Sequence, residues 1–181
     1  ILEAKKVRGT FFLIGEHISE DTKYLLDKQL SLGCEICNHS LTHSHMPELT
    51  ADVIAAEIEE TTAKIMKLGA PAPKFFRPPF LEVNQDMFDR IPLNFIAGAD
   101  IHDWEACNSP EKRIQNVMNM VRDGAIILMH DFGGNDNTVI ALPTIIDKLA
   151  AEGYEFVTVS ELFERKGINP AVKGKVWSYV E

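Results

Sequence analysis

Strand-like and helix-like patterns alternate along this chain from one end to the other, and that alternation constrains the fold most. Strands that return through helices pair in parallel, which confines the chain to the α/β class. Short apolar runs rich in β-branched and aromatic residues mark strands at residues 9–14, 34–38, 74–76, 94–97, 125–129 and 155–159. Between them, residues 20–32 read as a helix stopped by Gly33. Thr50 is placed to cap a helix whose Ile54, Ile58, Thr61, Ile65 and Leu68 fall at helical spacing before Gly69. Asn84 can cap a brief helix. Ser109-Pro110-Glu111 starts another with Ile114, Val117, Met118 and Val121 on its apolar face, and residues 142–152 form a last one. No repeat, low-complexity segment or linker divides the chain, so residues 1–181 read as a single domain. A closed barrel and a doubly wound open sheet satisfy this alternation equally well.

The charge balance narrows the partners. Lys and Arg number 18 against 27 Asp and Glu, a formal charge of -9, so the surface should repel a phosphate backbone and no nucleic-acid partner is expected. No apolar run approaches the roughly 20 residues that cross a bilayer, and the first residues do not resemble a signal peptide. A start at Ile1 rather than Met leads to the expectation that further sequence precedes it, where a signal or anchor would lie. Cys34, Cys37 and Cys107 are too few and odd in number for a disulfide framework. Cys34 and Cys37 have the spacing of a redox or zinc half-site, but no second pair completes it, and buried core thiols are the favoured reading.

What distinguishes the chain from a generic α/β domain is the position of its polar residues. His39 to His43, Arg77, Asp100 to Trp104, and His130-Asp131 each follow a predicted strand. In parallel α/β folds the carboxyl ends of the strands share one face, and ligands and chemistry collect there, so these segments are expected to converge. His39 and His43, four positions apart, can bring two imidazoles to one metal, zinc by ligand type; two polar loop histidines are the alternative. His45 reads as an exposed loop side chain. His130 is suited to general acid or base work, or is a satisfied core histidine. Asp103 can orient it, or be a surface acid beside Trp104. Arg77, set between Phe76 and Pro78-Pro79-Phe80, calls for a carboxylate partner nearby.

In their order these segments resemble the motifs of the NodB-homology polysaccharide deacetylases, the family 4 carbohydrate esterases, over residues 9–164. Residues 9–15 resemble the family's second strand. Residues 35–43 resemble its metal-binding histidine motif, with Cys37 where glycine is usual, and Arg77-Pro78-Pro79-Phe80 its third motif. Residues 100–104 and 128–131 resemble the fourth and fifth. The resemblance implies a distorted (β/α) barrel and the hydrolytic removal of acetyl groups, from nitrogen or oxygen, by water that a divalent metal activates. Zinc is the default metal, with cobalt or nickel compatible. It assigns His39 and His43 as metal ligands and His130 as the general acid, with Asp103 tuning it. Arg77 would hold the catalytic base, the Phe80 backbone N–H would stabilise the oxyanion, and Trp104 and Leu128 would shape the acetyl pocket. The implied substrates are peptidoglycan, a chitin-like polymer or acetylated xylan, met outside the cell or at its surface.

The family's first motif, a Thr-Phe-Asp-Asp-Gly-like strand end carrying the base and a third ligand, does not occur in this sequence. The expectation is that it precedes Ile1 in the native protein, and that without its strand the sheet keeps an unpaired edge. A catalytically inactive, glycan-binding deacetylase-like domain is the alternative function. An α/β domain with structural histidines and no sugar chemistry is the third reading.

Overall fold

A computed structural model describes the whole chain, residues 1–181. In chain order it contains α1 (Leu2–Lys5), β1 (Thr10–Leu13), α2 (Lys23–Ser31), β2 (Glu35–Asn38), α3 (Ala51–Lys67), β3 (Phe75–Phe76), α4 (Gln85–Arg90), β4 (Asn94–Ile96), β5 (Ala99–Asp100), α5 (Pro110–Met120), β6 (Ile127–Leu128), α6 (Asp136–Ala151), α7 (Val159–Lys166) and β7 (Val176–Trp177). Five strands form one sheet in the order β1-β2-β3-β4-β7, and β5 pairs with β6 in a second. Every ladder is parallel, as the alternation of strands and helices requires.

The strands are short, and the side chains of the central ones alternate between two cores. Cys37, Phe75, Ile96 and Trp177 point to the interior, where they meet Ile126, Val159, Phe163 and Val180. Their chain neighbours Phe76 and Phe95 point outward with Met46, Ile54, Ile58, Met87 and Ile91, and Ile36 packs with Leu26 and Ile65. The periodic face of α3 is buried along its length, with Ile54 and Ile65 fully enclosed. A fourth cluster joins Ile101 and Val117 to Ala141, Ile145 and Leu149 where α5 crosses α6.

Two helix starts follow directly from the sequence. Asn84 accepts the Met87 N–H at 2.9 Å and Ser109 the Lys112 N–H at 3.3 Å. Thr50 stands at the start of α3 without a side-chain capping bond. The helix expected from Leu142 begins earlier, at Asp136, and accommodates Pro143 within it. The apolar run at 125–129 contributes only Ile127 and Leu128 to a ladder, while Ala125 bridges Tyr179 in antiparallel fashion.

The strand expected at residues 155–159 does not form. Thr158 instead opens α7 through a capping box: its hydroxyl accepts the Glu161 N–H at 3.3 Å, and the Glu161 carboxylate accepts the Thr158 N–H at 2.9 Å. The next free N–H groups, of Val159 and Ser160, reach Thr10 Oγ1 at 2.9 Å and a Glu35 carboxylate oxygen at 3.1 Å. These partners lie at the starts of β1 and β2. Phe163 packs on Phe75 and Trp177 with ring centroids 5.7 and 5.1 Å apart, so α7 plugs the amino end of the strands and leaves their carboxyl ends open.

Candidate functional site

Four strands deliver the polar residues to that open end. β2 leads into His39, β3 into Arg77, β5 into Asp103 and β6 into His130. The loop after β2 is tied to α3. Asn38 donates to the Ile58 carbonyl at 2.9 Å and accepts the Ser40 N–H at 2.9 Å. The buried Glu57 carboxylate accepts the Leu41 and Thr42 N–H groups at 2.8 and 2.9 Å and the Thr42 hydroxyl at 2.8 Å. These bonds hold Ser40 and His43 at positive φ, 66° and 59°, where non-glycine residues seldom sit. The His39 and His43 rings meet edge to face, with centroids 4.8 Å apart.

His39 Nδ1 lies 2.6 Å from the Arg77 carbonyl, which can only accept. The proton therefore sits on Nδ1 and the Nε2 lone pair is free, as is common for a metal-ligating histidine whose other ring nitrogen donates to a carbonyl. Burial pushes the His39 pKa down to about 3, with a further contribution from His43, Arg77 and His130, so the ring is neutral at ordinary pH. Burial also lowers His43, to which His130 contributes. Two neutral imidazoles side by side fit a borderline divalent cation. No third His, Cys, Asp or Glu of this chain gathers with them.

Arg77 is buried, its guanidinium lies 4.1 Å over the Phe12 ring, and its Nε has no hydrogen-bond partner. The carboxylate expected beside it is not supplied by this chain. Burial lowers its pKa to about 10, with Asp100 acting in the opposite direction. The room it occupies depends on Gly98: a Cβ there would meet Leu128 Cβ at 3.0 Å and Arg77 Nη2 at 3.1 Å. Leu128 thus lies buried in the floor of the site rather than on its rim.

Asp103 is fully buried, and one of its oxygens lies 2.7 Å from His130 Nδ1. Its other oxygen accepts the His130 backbone N–H at 2.8 Å and the Thr138 hydroxyl at 2.8 Å. Burial alone would raise the Asp103 pKa, but the bonds from His130 and Thr138 outweigh it and hold the group below the usual carboxylate range. An ionised carboxylate only accepts, so His130 carries its proton on Nδ1 and presents Nε2 to the cleft.

Aromatic rings form the rim. Phe80 is half exposed at φ 55°, its ring 4.8 Å from His43 and stacked on His45 at 4.0 Å. His45 is exposed as expected, and its bond to Glu82 raises its pKa. Trp104 is half exposed, its indole N–H 3.4 Å from Asp100. The sequence reading missed Phe132, an exposed ring with its centroid 6.2 Å from that of His130. It missed Glu57 too, and the buried polar group of Arg113, Asn135 and Thr138 behind Asp103. Arg113 left one visible sign: it lies four residues before Val117, on the apolar face of its helix.

A parallel α/β barrel domain with a histidine pair and a carboxylate-bound histidine at the carboxyl ends of its strands is the class these features define. The chain belongs to the polysaccharide deacetylase family, whose family model matches residues 1–92. It is 45% identical over 181 residues to a bifunctional xylanase/deacetylase of Pseudobutyrivibrio xylanivorans, covering all of this chain and 30% of that protein. The chain therefore spans about a third of the length of that curated relative. Among solved structures it resembles the Xyl-CE4 domain of a multidomain xylanase from the hindgut metagenome of Trinervitermes trinervoides, with TM-score 0.97 and 46% identity over 98% of this chain and 87% of that one. It also resembles a family 4 acetyl xylan esterase from Clostridium thermocellum in complex with a cobalt ion, with TM-score 0.95 and 38% identity over 99% and 88% of the two chains. The distorted barrel expected from the motifs is the fold these relatives share.

Proposed function

We propose that residues 1–181 form a single domain that removes acetyl groups from a polysaccharide, with acetylated xylan as substrate. The observation that carries this reading is His130 held on Asp103 through Nδ1, in the same cleft as the neutral His39 and His43 pair. The choice of xylan rests on the xylan-directed names of the relatives that are 38 to 46% identical; peptidoglycan and chitin-like polymers carry the same acetyl chemistry.

His39 Nε2 and His43 would hold a divalent metal, zinc by ligand type, cobalt or nickel also suiting two imidazoles with oxygen ligands. When bound, such an ion lowers the pKa of a water and polarises the acetyl carbonyl. Apart from the base, the remaining roles fall to the chain's own residues. The water oxygen bonds to the acyl carbon as its proton passes to the anionic base beside Arg77, the bond from that carbon to the sugar oxygen breaks, and protonated His130 gives its Nε2 proton to the departing oxygen. Asp103 keeps Nδ1 protonated and steadies the imidazolium. The Phe80 N–H, fixed by its left-handed backbone, donates to the developing oxyanion. The Arg77 guanidinium, whose Nε has no partner, would hold that anionic base. Trp104 and Leu128 would shape the acetyl pocket. Such polymers are met outside the cell, and no helix of this chain is long and apolar enough to cross a membrane.

The test is acetate release from acetylated xylan by the full-length protein with zinc, beside an N-acetylglucosamine oligomer. His130→Ala is expected to abolish turnover with the metal retained, and His39→Ala to lose both. An inactive wild type on both substrates that still binds the glycan would replace this reading with a binding domain.

A further inference from the structure

Behind Asp103 lies a buried polar cluster that the reaction above leaves unused. Arg113 projects from α5 and is 2% exposed. Its Nη1 donates to Asn135 Oδ1 at 2.5 Å and to Thr138 Oγ1 at 2.7 Å. Its Nε and Nη2 donate to the Asn108 and Glu105 carbonyls at 3.0 and 3.2 Å. All four acceptors are neutral, an uncommon setting for a buried cation.

The polarity of these bonds matters more than their number. A guanidinium only donates, so Asn135 must turn its oxygen toward Arg113 and its NH2 the other way. That NH2 donates to Asp103 Oδ2 at 3.2 Å and to the His130 carbonyl at 2.9 Å. Thr138 has one hydroxyl proton; with Arg113 donating to its oxygen, the proton goes to Asp103 Oδ2, 2.8 Å away. The His130 backbone N–H joins the same oxygen at 2.8 Å. Three donors thus saturate Oδ2, and Oδ1 is left to the His130 imidazole at 2.7 Å.

We propose that Arg113 is a positioning residue for the general acid: it fixes Asn135 and Thr138 as donors, so that Asp103 keeps one oxygen for His130 alone. The proposal rests on the deacetylase reading for its effect on rate, and on hydrogen-bond polarity for its geometry. Without Arg113, Asn135 is free to flip and present its oxygen to the carboxylate, and the Thr138 hydroxyl is free to rotate away. Asp103 then loses its fixed rotamer, and the imidazole its orientation. Arg113→Lys keeps the charge but not the fork that addresses both side chains.

The test uses the full-length protein carrying Arg113→Met, Arg113→Lys or Thr138→Val, each alone and combined with Asp103→Asn. Thr138→Val is nearly isosteric and keeps the experiment decisive if the Arg113 variants fail to fold. The kcat on acetylated xylan is expected to fall about 10-fold or more for Arg113→Met and several-fold for Thr138→Val, with KM held within about twofold. In the Asp103→Asn background the same changes should cost less than about twofold, because the residue through which they act is already lost. The hydrogen-bonded Nδ1 proton of His130, read by NMR without any turnover, should shift or broaden in each variant. Losses that multiply with Asp103→Asn, or full recovery in Arg113→Lys, would overturn the proposal. An unmoved His130 resonance in Thr138→Val rejects it even in an inactive protein; a moved resonance with inactive wild type keeps the positioning and sinks the deacetylase reading.

Discussion

Glu57 decides whether the histidine loop is built before a ligand arrives. It lies on α3, 6% exposed, and its carboxylate takes two backbone N–H groups and one hydroxyl from Leu41 and Thr42, at 2.8 to 2.9 Å. Glu57→Ala removes all three bonds at once and leaves two part-buried N–H groups to find water. A hydrogen bond to a charged group contributes ~1.5–3 kcal/mol, and the three share one carboxylate whose burial has its own cost, so a net loss of ~3 kcal/mol is expected. For a domain of this size that lowers Tm by ~6–12 °C. Glu57→Gln keeps one accepting oxygen but turns an NH2 toward groups that also donate, and should lose roughly half as much. The second readout is zinc binding by calorimetry. His39 and His43 flank the two anchored residues, so a loop that must order on binding should bind ~10–100-fold more weakly. A Glu57→Ala protein that melts within ~1 °C of wild type and binds zinc equally would refute the claim that this carboxylate organises the loop.

Other outcomes follow from other parts of the molecule. Asp103 has a folded-state pKa below its unfolded value, so its ionised form stabilises the fold above the unfolded pKa and that contribution is lost as pH falls through the folded one. Asp103→Asn should therefore destabilise the protein at neutral pH, with the gap to wild type closing below about pH 4 in an acid titration followed by circular dichroism. Burial, with the Glu35 carboxylate second, raises the Cys37 thiol well above its ordinary pKa, whereas Cys107 is exposed. A thiol reagent at pH 8 should label Cys107 quickly and Cys37 only on unfolding, which peptide mass spectrometry would read. Phe163→Ala empties the space between Phe75 and Trp177 and should cost ~3–5 kcal/mol in denaturant unfolding.

The sequence carried the parts of this domain that depend on local order. Glycine stops, the Asn84 and Ser109 caps, the α3 stripe and the polar residues after β2, β3 and β6 all follow from neighbours close in the chain. What it did not carry depends on partners far away. Residues 155–159 have the apolar content of a strand, but the N–H groups of Val159 and Ser160 are spent on Thr10 and Glu35, about 150 and 125 positions distant. β7 is only Val176–Trp177 and exists because β4 offers it an edge. Asp103 read as a surface acid or an orienting one, and only the folded chain shows that Arg113, Asn135 and Thr138 surround it.

The backbone shows where folding gives way to function. Positive φ occurs at Ser40, His43, Phe80, Leu81 and His102, all in loops at the open carboxyl end, and otherwise among non-glycine residues only at Lys6, which ends α1. Such conformations cost on the order of 1 kcal/mol or more each and persist only where surrounding bonds over-determine them. Here Asn38 and Glu57 supply those bonds for the histidine loop, and Asp100 accepts the His102 N–H at 2.7 Å. The opposite end of the strands is closed by Phe163, with α7 held through the capping box at Thr158. One end of the barrel supplies the packing that tolerates strain at the other. A substitution that relaxes a site loop, such as glycine at Phe80, should therefore leave stability near wild type or above it while it loosens the Phe80 N–H, and a chain that lost stability and kept its activity would place the strain elsewhere.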